Sequence, residues 1–101
     1  MIIQVERSGG FSGIPMMARL DTLNLAEEDR QTVESLVSAV NFFALPERLS
    51  NQTHGADRFY YALRVEDGRR SHATEVGDAD APPELRDLIQ QVMLLARSAR
   101  G

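Results

Sequence analysis

The sequence predicts an α+β fold: a four-stranded antiparallel sheet with two helices on one face, in the order ββαββα. Three observations lead there. Residues 2–7 and 58–66 alternate apolar and polar side chains with the period of a strand. Asp67-Gly68 sits between two strand-like runs and is a strong signal for a two-residue hairpin turn. Residues 25–41 and 85–99 repeat apolar side chains at the spacing of one helical face. Helices packed on one side of an antiparallel sheet bury both kinds of apolar surface in a single core. A length of 101 residues fits one domain over residues 1–101.

The first strand places Ile3 and Val5 on one face, against Gln4 and Glu6 on the other. Ser8-Gly9-Gly10-Phe11-Ser12-Gly13 breaks regular structure, because three glycines in five residues open backbone angles closed to other residues. Met16, Ala18 and Leu20 alternate with Met17, Arg19 and Asp21 as a second strand, antiparallel to the first. Asn24-Leu25-Ala26-Glu27 has the form of a capping box, with Asn24 accepting from a free N–H and Glu27 reaching back. Glu27, Glu28 and Asp29 suit the positive end of the helix dipole. Val33, Leu36, Val37 and Val40 then mark the buried face, with Leu36 as a core residue.

Phe42-Phe43-Ala44-Leu45-Pro46 closes that helix and tucks apolar groups under the sheet edge, and residues 47–57 read as an exposed loop. In the third strand Phe59, Tyr61, Leu63 and Val65 share one face and Arg58, Tyr60, Ala62 and Arg64 the other. A type I′ turn at Asp67-Gly68 needs positive φ at both central positions. Residues 69–76 return as the fourth strand. Pro82 and Pro83 suit the first turn of the last helix, where a missing N–H costs nothing. Leu85, Leu88, Ile89, Val92, Leu95 and Ala99 mark its apolar face, with Leu88 at the centre.

Composition narrows the function classes. There is no cysteine, hence no disulfide and no thiolate site. No apolar run approaches the ~20 residues of a membrane span, and the N-terminus lacks the pattern of a signal peptide. These features predict a soluble cytoplasmic protein without membrane contact. A net charge of −4 argues against a general nucleic-acid binder, whose affinity comes from neutralising phosphates. His54 and His72 have no metal-ligand spacing, and the serines lack a nucleophile elbow. No catalytic residue, metal ligand or cofactor is expected. Arg58, Arg64, Arg69 and Arg70 with Tyr60 could form an RNA-binding strip on the second hairpin, although cross-strand ion pairs on a solvated face explain them as well.

The segment Ser8, Gly9, Gly10, Phe11, Ser12, Gly13, Ile14 and Pro15 is the candidate functional element. Phe11 and Ile14 are costly to expose. They either fold back onto the core or form an apolar tip for a partner's cleft. A phosphate cradle needs a strand leading into a helix, and here a strand leads into a strand.

Arg7-Ser8-Gly9-Gly10-Phe11 with Gly13-Ile14-Pro15 resembles the opening of emfourin-type protealysin inhibitors. The similarity continues in Phe42-Phe43-Ala44-Leu45-Pro46, in Gly55-Ala56-Asp57-Arg58-Phe59 and in residues 82–88. The resemblance implies a small cytoplasmic inhibitor of thermolysin-like zinc metalloproteases, monomeric when free, with no enzymatic activity of its own. In bacteria such inhibitors are often paired with a protealysin-like enzyme. The constrained apolar loop agrees with that implication, with residues 8–15 as the protease-binding element and Phe11 or Ile14 filling an apolar subsite. The alternatives are an interaction module without a protease target, an RNA-binding sheet, and an enzyme using His72 and the carboxylates.

Overall fold

The computed structural model describes residues 1–9, 15–49 and 59–100, with side chains up to residue 97. The elements run β1 (Ile2–Gly9), β2 (Met16–Asp21), α1 (Glu27–Ala39), β3 (Phe59–Asp67), β4 (Arg70–Gly77) and α2 (Pro83–Arg100). The predicted ββαββα order is therefore found. Short 3-10 turns at Thr22–Asn24, Phe42–Ala44 and Asp78–Asp80 link them.

All pairing in the sheet is antiparallel, in the order β2-β1-β3-β4. The two hairpins join through β1 and β3, with Ile3 opposite Val65, Val5 opposite Leu63 and Gly9 opposite Phe59. Buried strand side chains share one face of the sheet: Ile3, Val5, Ala18, Leu20, Leu63, Val65, Thr74 and Val76. Val33 and Val37 of α1 and Leu85, Leu88, Ile89 and Val92 of α2 close over that face in one continuous core. The other face of the sheet carries Gln4, Glu6, Arg64 and Glu75.

The start of α1 differs from the capping-box expectation. Asn24 lies in the preceding 3-10 turn, and Ala26 holds the cap position without a side-chain bond. Asp21 caps the 3-10 turn instead, accepting from the Leu23 N–H at 3.0 Å. Chain direction is thus turned at residue 21, and the helix starts two residues beyond its sequence signal. Glu27 spends its carboxylate within the helix, on Arg30 Nε at 3.1 Å and Gln31 at 3.0 Å. Those two donors hold the Glu27 carboxyl below its ordinary value. At the other end Asn41 takes a left-handed conformation, φ 54°, which stops the helix and turns Phe42 into the core.

Two further expectations shift. The hairpin pairs Asp67 with Arg70, so its central residues are Gly68 and Arg69, one position later than expected. Only Gly68 has positive φ, 62°, as at the first central position of a type II′ turn. Leu36 is half-buried beside Gln90 and Gln91 in the groove between the helices, whereas Leu88 is fully buried. The valines at 33 and 37 are the buried residues of α1.

Residues 45–49, the end of the helix-closing segment and the start of the stretch read as an exposed loop, seal the outer edge of β4. The Leu49 N–H donates to Glu75 C=O and the Glu75 N–H to Glu47 C=O, each at 2.8 Å. Thr74 Oγ1 donates to Pro46 C=O and His72 Nε2 contacts Leu45 C=O, each at 2.6 Å. Polar residues at the core-facing positions 72 and 74 were the available sign that a backbone segment would meet them.

Leu88→Ala should cost roughly 2–5 kcal/mol, and Leu36→Ala only about 1 kcal/mol because half of that side chain already meets water. Denaturant midpoints check the ranking; equal losses would place Leu36 in the core. Gly68→Val should cost about 1–2 kcal/mol or more, and Gly68→Asn less, since Asn tolerates positive φ. No atom lies within 4 Å of a Cβ built at Gly68, so the penalty is conformational rather than steric. Equal stability of the two variants would contradict the turn geometry.

Candidate functional site

The residues that launch the Gly-rich segment are held on both sides. Arg7 pairs with Met16 as the last rung of β1 with β2, while Ser8 and Gly9 continue paired to Tyr60 and Phe59 of β3. Gly9 has φ 91°, a conformation that side chains rarely adopt, and the chain leaves the sheet there. Pro15 is exposed immediately before β2, where its missing N–H interrupts no rung. Gly10, Phe11, Ser12, Gly13 and Ile14 lie outside the described residues, so the choice between a core cap and an apolar tip rests on them.

Arg7 organises this end of the sheet. Its guanidinium donates toward Met16 Sδ and lies over the Phe59 ring at 4.6 Å from the centroid, and Arg7 sits opposite Tyr61 on β3. One side chain thereby ties β1 to β2 and β3. A cation over an exposed aromatic contributes about 0.5–1 kcal/mol. Burial pushes the Tyr61 phenol above its ordinary value, the Asp78 carboxylate adds to the shift, and Arg7 and Arg86 oppose it. Tyr61 therefore stays a neutral hydroxyl.

Strand order also decides which chain segments emerge together. Gly9 lies beside Phe59, so residues 10–14 and 50–58 begin from adjacent points. The turn at Gly68-Arg69 and the Thr22–Asn24 turn lie at the opposite end. In sequence, residues 8–15 and 47–57 look like separate loops. Pairing of β1 with β3 makes them neighbours at their roots.

The other candidates are taken up by structural contacts. Half-buried His72 is fixed by Leu45 C=O and by an edge contact with Phe42, 5.7 Å between rings. His54 lies outside the described residues. Among the described residues the arginines of that strip are divided between the faces: Arg64 is on the open face beside Glu66 at 3.3 Å. Arg70 is on the helix side, paired with Asp67 at 3.1 Å and stacked over Phe43 at 4.2 Å. Arg58 lies outside the described residues. Among the described residues, no three His, Asp or Glu side chains group as a metal site, and no helix is long and apolar enough to cross a membrane.

A family model described as Emfourin matches residues 5–93, from the middle of β1 to the last turns of α2. The chain belongs to the emfourin family. The match takes in most of the first hairpin, the whole Gly-rich segment, α1, the second hairpin and the first eleven residues of α2. Among solved structures, emfourin from Serratia proteamaculans, described as an M4 family peptidase inhibitor, is 22% identical. It covers 89% of this chain and 86% of its own, with a TM-score of 0.47. No curated protein matches the sequence.

Chelation should leave the free protein's thermal midpoint unchanged, since no metal-ligand cluster stands among the described residues and metal-dependent folds melt when the ion is removed. A midpoint lowered by EDTA would reveal an intrinsic metal site.

Proposed function

We propose that this emfourin-family protein inhibits a thermolysin-like zinc metalloprotease by lodging residues 8–15 in the active-site cleft. Membership of the family carries the reading, and the chain is accordingly not an enzyme. The solved relative's description as an M4 family peptidase inhibitor points to the class of target. Family membership does not say which part of this chain meets the protease; the support for residues 8–15 is the way their ends are held.

β1, paired on both sides, and β2, paired with β1, hold the ends of that segment, and a glycine at φ 91° turns the chain out of β1. A loop whose ends are fixed loses less entropy on docking, which is how preorganised inhibitors gain affinity. Phe11 or Ile14 fills an apolar subsite, and the flanking glycines keep the bound backbone out of the geometry that cleavage needs. The protein acts as a monomer, in the cytoplasm, without a cofactor.

Phe11→Ala or Ile14→Ala should weaken inhibition of a thermolysin-like protease by at least about 2 kcal/mol, roughly 30-fold, at the true anchor. Thermal midpoints measured alongside should move little. Parallel loss of stability and inhibition would make the residue a core cap. Leu23, 79% exposed at the opposite end of the sheet, is the control, and Leu23→Ala should inhibit normally. A wild type that inhibits no thermolysin-like enzyme would overturn the proposal.

A further inference from the structure

The two edges of the sheet are not alike. On β4 the outward N–H and C=O of Glu75 are taken by residues 47–49. On β2 no described residue takes the corresponding groups, because β2 pairs with β1 alone. Which groups face outward follows from the ladder. The Thr22 N–H donates to Met1 C=O at 2.9 Å, and bonded and unbonded pairs alternate in an antiparallel ladder. Leu20, Ala18 and Met16 therefore bond to β1, leaving the N–H and C=O of Met17 and Arg19 and the N–H of Asp21 directed away from the sheet.

The side chains around this edge are unusual for an exposed strand. Met16 is 41% and Met17 59% exposed. Together with Ala18, Met93 and Ala96 they line an apolar cleft between β2 and α2, with Arg97 at its rim. Natural edge strands are normally blunted against pairing, whereas this one carries adaptable thioethers. Arg19 and Arg97, both exposed, have no carboxylate partner among the described residues, in a chain whose net charge is −4.

We propose that β2 is a second docking element, to which an extended, carboxylate-bearing segment of the inhibited protease adds as a further strand. The inference rests on the inhibitory reading above. Strand addition takes its affinity from main-chain bonds and its selectivity from alternate side chains. Here the bonds come from Met17, Arg19 and Asp21, and the selectivity from the methionine cleft and the two arginines. β2 follows Pro15 directly, so a protease engaged by residues 8–15 already lies beside it. A second copy of this chain fits the edge poorly. Only self-pairing centred on Arg19 or on Ala18 keeps most of β2 paired; the first sets the two Arg19 side chains opposite each other, and the second sets them diagonally adjacent. Like charges so placed repel.

The test uses the full-length protein and a thermolysin-like protease that the wild type inhibits. Arg19→Pro removes one outward N–H and no rung to β1, so the fold should survive, as prolines on edge strands do. Inhibition should weaken at least tenfold. Arg19→Glu combined with Arg97→Glu should weaken it comparably, the more so at low ionic strength. Amide hydrogen exchange of Met17, Arg19 and Asp21 should be fast in the free protein and slowed in the complex. If Arg19→Pro unfolds the protein, the double glutamate variant and the exchange pattern decide. Full inhibition by the edge variants, with Phe11→Ala or Ile14→Ala impaired, would overturn strand addition and leave the inhibitory loop standing. A wild type that inhibits nothing would remove the inhibitory reading and this inference together. Unchanged inhibition with a concentration-dependent dimer, abolished by Arg19→Pro in sedimentation, would assign the edge to a second copy and overturn the proposal.

Discussion

Antiparallel pairing of β1 with β3 is the constraint on which the rest of the structure depends. Each hairpin alone is a two-stranded ribbon, and isolated ribbons are marginal in water. Eight residues of β1, from Ile2 to Gly9, pair with β3 across a long stretch of intervening chain. Closing so long a loop costs entropy that only the buried face can offset. Ile3 and Val5, both fully buried, sit where β1 is flanked by strands on both sides and covered by helices. The central strand therefore carries side chains suited to complete burial, whereas β2 at the edge carries two exposed methionines.

The same pairing divides the molecule into unequal ends. At one end the tight turn at Gly68 and the capped turn after Asp21 close the chain with short, locally satisfied geometry. At the other, Gly9 and Phe59 release chain from adjacent strands, and Arg7 ties their roots together. Connecting segments carried on a packed scaffold are where binding residues commonly lie.

Polar groups inside the fold stabilise by connection rather than by charge. Among the described residues, no buried side-chain nitrogen or oxygen lacks a hydrogen-bond partner. Thr22, fully buried, donates through Oγ1 to Glu34 at 3.0 Å and so joins the end of β2 to α1. Thr74 joins β4 to Pro46, and His72 meets Leu45 C=O beside it. Leaving any of these groups unpaired would cost about 1–3 kcal/mol. The ion pairs, by contrast, lie at the surface, where such pairs contribute little.

Local chemistry makes the elements legible in the sequence alone. Alternation at residues 2–7 and 59–66, the helical spacing of Val33, Val37, Leu85, Leu88 and Val92, and the punctuation at Gly68 depend only on near neighbours. So does the oddness of residues 8–15, because Phe11 and Ile14 among glycines conflict with exposure whatever surrounds them. The helix start at residue 27 escapes a sequence reading because the chain leaving β2 first forms a 3-10 turn capped by Asp21, which takes up Asn24 and leaves Ala26 at the cap of α1. Leu36 is misplaced by periodicity because one helical period cannot say which part of an apolar stripe meets the sheet and which the neighbouring helix. Strand order, the joining of the two loop roots, the Arg7 contacts and the difference between the sheet's two edges belong to tertiary structure alone. Each depends on which distant strand β1 pairs with, and hydrogen bonds between backbones carry no record of their partner in the side-chain sequence.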